Sequence, residues 1–370
     1  MLSKPSYDLQ IYDALEALPG EFHALFARAG RQSVFHTWTW YANFVESVLA
    51  PGERLRIYAV RSSAGEPRAV LITHHAARRR FSARKLMSLA NYYSSLFGPV
   101  VDPDDPELES LLAVLARAIA RDRSRWDQIY LNPLAAEAGF EALLRALRSE
   151  GFLVDRFFSF GNWYVNVGSR TFAQYVEGRP RTGARQRKKL LSSPRFRFWL
   201  VTQPQEVERA MADYERVYRS SWKTGEPYPA FMPGLARRCA ERGWLRLGIA
   251  YLDGEPAAAQ LWIVADATAS IFKVAYDQRF AKESVGTLLT SLIMEHVIDR
   301  DEVAVVDYLT GDDGYKKDWM SQRRERWGIV AFNPRTVRGL LLAARHFGGR
   351  AVRRIGGRFL PRSLAPANPK

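Results

Sequence analysis

Two stretches of this 370-residue chain read alike, and an internal duplication limits the available folds more than any other feature. Leu55-Arg56-Ile57-Tyr58-Ala59-Val60 leads through Gly65-Glu66-Pro67 to Ala69-Val70-Leu71. Leu245-Arg246-Leu247-Gly248-Ile249-Ala250 leads through Gly254-Glu255-Pro256 to Ala258-Ala259-Gln260-Leu261-Trp262. Each stretch is an apolar run, a turn and a second apolar run, the pattern of a β-hairpin. The spacing between the two turns is far too long for a solenoid period and is the size of an ordinary domain.

The surroundings repeat as well. Apolar residues at helical spacing precede each hairpin, over 35–49 and 207–222. After each hairpin the pattern predicts a strand (85–89 and 271–276), a helix (107–120 and 287–299) and a further strand (126–132 and 303–309). Helices interleaved with strands give an α/β fold of two tandem domains, each a central mixed β-sheet flanked by helices. The expected units are 1–168, 169–334 and a basic amphipathic tail, 335–370.

Charge is unevenly placed. The net +15 resides in two segments, since six Lys/Arg and no acid fall within 179–189 and nine Lys/Arg and no acid within 335–370. The rest is electrically balanced, so two anion-facing patches need explaining rather than a basic protein throughout. Cys239 is the single cysteine, which excludes a disulfide framework and a cysteine metal cluster within one chain. His74 and His75 are adjacent, so on a strand they point to opposite faces, and no metal ligand set is expected. No segment reaches the roughly 20 apolar residues of a membrane span, and the first residues lack an apolar signal core. A cytoplasmic chain is expected, with its tail available to the inner face of a membrane.

Three stretches carry a family resemblance. Phe35-His36-Thr37-Trp38-Thr39-Trp40 opens a helix, Tyr276-Asp277-Gln278-Arg279-Phe280 precedes Ser284-Val285-Gly286-Thr287-Leu288-Leu289, and Asp307-Tyr308-Leu309 precedes Gly311-Asp312, Tyr315-Lys316 and Trp319. In this order they resemble the GNAT acyltransferases, and with the duplication the FemAB/CelD-like branch that pairs two such domains. The resemblance covers about 35–330 and departs from the branch at Val285, where members commonly have proline. It implies acyl-CoA as co-substrate, with no permanently bound cofactor, and transfer to an amine, or less readily a hydroxyl, of a small or cell-envelope-related acceptor.

A helix start with free N–H groups suits the pyrophosphate of such a thioester. Ser284, Val285, Gly286 and Thr287 supply one, while in the first half Asp102-Pro103-Asp104-Asp105-Pro106-Glu107 stands at the corresponding place, so no cofactor site is expected there. The resemblance puts the backbone of Phe272, Lys273 and Val274 against the thioester carbonyl. Acyl transfer also needs a proton acceptor, oxyanion stabilisation and a proton for the leaving thiolate. Asp307 at a strand's polar end is the candidate base, Lys316 the oxyanion or acceptor cation, and Tyr315 the proton donor. A cap, a solvated charge and a packed ring are the alternatives for these three. Gln260, Tyr276 and Asp277 are candidates for lining an acceptor pocket.

The run at 179–189 suits a nucleotide phosphate, an acidic carrier protein or tRNA, the aminoacyl donor of Fem-type proteins. In the tail, Val337, Leu340, Leu341, Ala344 and Phe347 fall on one helical face, which either lies on an anionic bilayer or packs on the second domain. An aminoacyl-tRNA-dependent ligase and a non-catalytic scaffold are the rival functions.

Overall fold

Both Gly-Glu-Pro turns close a hairpin, and in both the glycine has the positive φ that an L side chain resists, +86° at Gly65 and +79° at Gly254. The computed structural model describes residues 6–77, 80, 82–177 and 184–356. The first half runs β1 (Tyr7–Tyr12), α1 (Phe22–Gly30), α2 (Trp38–Val48), β2 (Glu53–Ser62), β3 (Pro67–Ala76) and β4 (Lys85–Ser88). It continues through β5 (Val100–Val101), α3 (Leu108–Arg121), β6 (Gln128–Ala135), α4 (Ala138–Ser149) and β7 (Leu153–Asn166). The second half begins with α5 (Phe172–Val176), α6 (Ala184–Leu191), β8 (Phe196–Val201), α7 (Val207–Arg219) and α8 (Phe231–Glu241). Then come β9 (Leu245–Leu252), β10 (Glu255–Ala265), β11 (Thr268–Tyr276), α9 (Val285–Asp299), β12 (Val305–Thr310), β13 (Gln322–Phe332) and α10 (Val337–Gly356).

The mixed α/β architecture is present in both halves, but the strands form one sheet. Its order is β1-β2-β3-β4-β6-β13-β7-β12-β11-β10-β9-β8, with β5 beside β3. This order is palindromic, because each half sends its last strand into the other. β13 lies against β6, β7 lies against β12, and the two exchanged strands form the central antiparallel ladder, from Gln322↔Tyr164 to Phe332↔Leu153. The exchange leaves neither β6 nor β12 with an open edge, which would otherwise invite aggregation. Neither the exchange nor β1 and β8 follows from the repeat pattern.

Helices cover both faces. α9 packs closely on the sheet because Gly248 on β9 has no side chain; a Cβ there would lie 2.6 Å from Ile293. On the opposite face, α1 and α2 of the first half share one apolar core with α7 and α8 of the second. Trp40 of α2 is its anchor, packing edge-on to Phe231 at 5.6 Å and Phe272 at 5.9 Å, while Tyr93 stacks on Phe231 at 3.9 Å. The aromatic helix start that reads as a motif in the sequence thus forms the seam between the halves.

Candidate active site at the parted strands

β11 and β12 run parallel, yet pair only at Thr268↔Val305, Ala269↔Val306 and Ser270↔Asp307. Beyond Asp307, β12 turns toward β7: Leu309 is held at φ +56°, Gly311 at +107°, and the register with β7 shifts between Asp307 and Thr310. A left-handed leucine costs about 1–2 kcal/mol, and the surrounding hydrogen bonds fix it. Asp307 Oδ1 accepts from the Leu309 N–H at 2.7 Å and from Asn162 Nδ2 at 2.6 Å, and the same Asn162 nitrogen donates to the Leu309 carbonyl at 3.0 Å. β11 meanwhile stays paired with β10, with a bulge that leaves Phe272 as the extra residue. The result is a wedge with its apex at Ser270 and Asp307, walled on one side by the unpaired edge of β11.

α9 starts at the open end of β11. Its N-cap, Ser284, is left-handed at φ +55°, makes no side-chain capping bond, and no acid stands in the first turn. A helix start of this kind presents N–H groups and a partial positive charge outward. Ser284 and Thr287 are exposed, whereas Val285 is buried. Gly286 is small for a reason the sequence does not show, since a Cβ there would stand 3.2 Å from the Tyr276 ring. Gln260 is buried beneath this turn: its Nε2 donates to the Gly286 carbonyl at 3.0 Å and Thr290 Oγ1 at 2.8 Å, and its Oε1 accepts from Trp262. Its amide therefore fastens α9 to the sheet. Tyr276 packs against Trp222 at 4.6 Å. Asp277 caps the turn after β11 through the Arg279 N–H at 2.8 Å; burial would raise its carboxyl, but the Arg279 guanidinium holds it below the usual range.

The three catalytic candidates differ in how free they are. Asp307 is 4% exposed, and besides Leu309 and Asn162 it pairs with Arg324. Lys316 is 3% exposed and donates to the carbonyls of Tyr308, Thr310 and Gly311 at 3.3, 2.5 and 3.2 Å, with Asp313 at 3.5 Å. Burial lowers its pKa despite Asp313. Tyr315 has an exposed ring, edge-on to Tyr308 at 5.6 Å, and partial burial together with Asp313 pushes its hydroxyl up to about 12. Phe272 belongs to the aromatic seam, and Val274 packs toward α9.

Lys273 leads to a cluster that sequence reasoning missed. Its Nζ pairs with Glu226 at 2.8 Å, and that carboxylate also accepts from Tyr93 at 2.5 Å and from Tyr92. Burial would raise Glu226, but hydrogen bonds from Lys273, Tyr92 and Tyr93 bring it to about 2. Lys223 in the same loop is lowered to about 8 by burial and the neighbouring Lys273, with Lys316 adding to the effect. A signal was available in Lys223-Thr224-Gly225-Glu226-Pro227, a polar loop closing a helix among aromatics, but nothing local says that it folds over β11.

The first half differs at the equivalent place. Its acids are paired, Asp102 with Arg28 at 2.8 Å and Asp105 and Glu107 with Arg68 at 2.8 Å each, so their repulsion of a phosphate is largely compensated. What occupies the wedge beyond β4 and β6 is the chain itself, where buried Phe97 donates its N–H to the Pro133 carbonyl at 2.6 Å. Residues 179–183 and 357–370 lie outside the described residues. Arg187 of the first basic run pairs with Glu295 and lies over the Phe172 ring. In α10, Ala343 is buried and Leu342 partly so, while Val337, Leu340 and Leu341 are 77%, 52% and 64% exposed. Among the described residues no group of three or more His, Cys, Asp or Glu could hold a metal ion, and no helix is long and apolar enough to cross a membrane.

The fold is that of tandem GNAT proteins, and residues 179–317, which contain this wedge, match the family model of the acetyltransferase (GNAT) domain. The structure is similar to FemX (TM-score 0.60, 11% identity, covering 86% of this chain and 96% of that one). It is also similar to a conserved protein of unknown function from Bacteroides thetaiotaomicron (0.55, 11%, 88% and 100%). A tandem GNAT protein from the clavulanic acid biosynthesis pathway aligns at 0.50, with 13% identity over 88% and 99%. Among curated proteins, none matches the sequence.

Proposed function

We propose that the chain transfers an acyl group from acyl-CoA to an amine, using the wedge of the second half as its donor site. The observation that carries this reading is the parting of β11 and β12 directly before an α9 start with neither side-chain cap nor acid. In this reading the first-turn N–H groups of α9, with the Ser284 and Thr287 hydroxyls, take the pyrophosphate, and the open edge of Phe272, Lys273 and Val274 takes the thioester carbonyl. The amine attacks that carbonyl, the C–N bond forms, and the C–S bond breaks. Lys223, lowered to about 8, accepts the amine's proton once the pH rises to its own pKa or above, and Tyr315, still protonated there, returns one to the thiolate. Asp307 and Lys316 act as positioning residues that hold the bend of β12 and the turn after it, and Gln260 positions α9. The donor unit is 169–334, with 1–168 closing the site from the other side.

The tail has a role in the same reading. The exposed stripe Val337, Leu340 and Leu341, in a segment without an acid, suits the surface of an anionic bilayer, which would bring the site to membrane-associated or cell-envelope acceptors.

Thr287→Glu tests the donor site. An acid in the first turn stabilises a helix by about 0.3–1 kcal/mol but repels a pyrophosphate. CoA affinity by calorimetry should fall at least tenfold while the thermal midpoint holds or rises. Unchanged CoA binding, or none by the wild type, would remove the reading. Salt-sensitive binding of tRNA in its place would favour an aminoacyl-tRNA donor.

A further inference from the structure

A cavity of about 400 Å³ lies between the halves, with its floor at the wedge apex, Ser270 and Asp307. Three buried polar atoms without a hydrogen-bond partner belong to residues that line it: Arg326 Nε, His36 Nε2 and Ser95 Oγ. Arg326 arrives on the exchanged strand β13, opposite Ala135 of β6 and Phe160 of β7. It is 5% exposed, and among the described residues its side chain makes one hydrogen bond, from Nη2 to Asn162 Oδ1 at a long 3.3 Å. Asp307 cannot serve as its counter-ion by direct contact, being held by Arg324, Asn162 and Leu309. Among the described residues no carboxylate stands within ion-pair distance of Arg326. A buried guanidinium is ordinarily paired, so this one is built for an anion that comes from outside.

The size and charge of that anion follow from the lining. Of the lining arginines, Arg31 pairs with Asp102 and Arg324 with Asp307, so Arg326 supplies the cation left without an ion-pair partner among the described residues; Ser95 adds a hydroxyl donor, and His36, kept neutral by its burial and by Arg326, a ring nitrogen without charge. Glu137, which also lines the cavity, disfavours a dianion. Gln32, Ser33 and Thr268 add polar groups near the rim, and an apolar part of the wall comes from Leu96, Phe97, Leu112, Leu134, Phe140 and Leu143.

We propose that this cavity binds a monocarboxylate with an apolar body, its carboxylate on the Arg326 guanidinium beside Ser95, and that such a ligand, carrying the amine to be acylated, is the acceptor. Its being the acceptor rests on the transferase reading above; the carboxylate site does not.

Calorimetric titration of the whole chain with benzoate, benzamide and phenyl phosphate tests this, with CoA titrated into the same samples. Benzoate should bind at least tenfold more tightly than benzamide and more tightly than phenyl phosphate. Arg326→Met should weaken benzoate at least tenfold while CoA binding and the ligand-free thermal midpoint do not fall, because the variant removes an unpaired buried charge. Ser95→Ala, a smaller change, should weaken benzoate several-fold and decides the matter if Arg326→Met does not fold. Benzamide equal to benzoate, benzoate unchanged in the variants, or phenyl phosphate the tightest would each overturn the site. Benzoate binding without CoA binding would overturn the acceptor role and the transferase reading, and leave the carboxylate site standing.

Discussion

His36 shows what burial does to one residue. Six residues past the end of α1, it is 6% exposed, and burial, with Arg326 nearby, holds its imidazole at about 4 against an ordinary 6.5. Between those values the unfolded chain binds more protons than the folded one, so this contribution to stability is complete above pH 6.5 and is lost as pH falls through about 4. His36→Asn should remove that loss: the urea midpoint of the wild type should drop more steeply from pH 6.5 to 4.5 than that of the variant. Parallel curves would mean that His36 already titrates normally. Side-chain identity was legible at this scale and environment was not. Asp307 was readable as a polar residue ending a strand, and its capping bond to Leu309 was one of two open readings. Its pairing with Arg324 across 17 positions and with Asn162 across 145 was not readable.

At the scale of elements the repeat predicts well. The helices and strands expected after each hairpin are present as β4, α3 and β6 and as β11, α9 and β12, because their signals are local: periodicity, turn residues and capping. The contrast between α9 and α3 is also local, since α3 has Glu109 in its first turn and α9 has no acid. α10 is the element whose face the sequence could not assign. Ala343 packs while Leu340 and Leu341 remain exposed, so the described part of the helix turns apolar side chains both to the sheet and to solvent. The wild type should co-sediment with phosphatidylglycerol vesicles and far less with phosphatidylcholine, and the double variant Leu340→Glu, Leu341→Glu should lower the former at least tenfold while leaving CoA binding intact. Equal sedimentation of the wild type with both lipids would exclude an electrostatically selected surface.

For the whole molecule, the exchanged strands decide cooperativity. Residues 1–168 alone would leave β7 with none of its partners and β6 with a bare edge, while 169–334 alone would leave β13 unpaired and β12 exposed. The intact chain should therefore unfold in one transition, each half alone should show no cooperative transition, and the two halves produced together should copurify. Independent cooperative unfolding of 1–168 would contradict this. The same exchange carries Arg324 and Arg326 from the end of the second half into the cavity at the first, beside His36 and Ser95.

The sequence by itself determined the duplication, the α/β class, most of the repeated elements and the phosphate-compatible helix start, because each is written in spacing and turn chemistry over a few tens of residues. Only the tertiary structure decided that the two sheets are one, that Asp307, Lys316 and Gln260 spend their hydrogen bonds on the scaffold, that Lys223 and Glu226 gather at Lys273, and that His36 and Arg326 line one cavity. Those outcomes depend on pairings between residues more than a hundred positions apart, and they are selected by burial and strand-edge satisfaction summed over the whole chain, which no local pattern encodes.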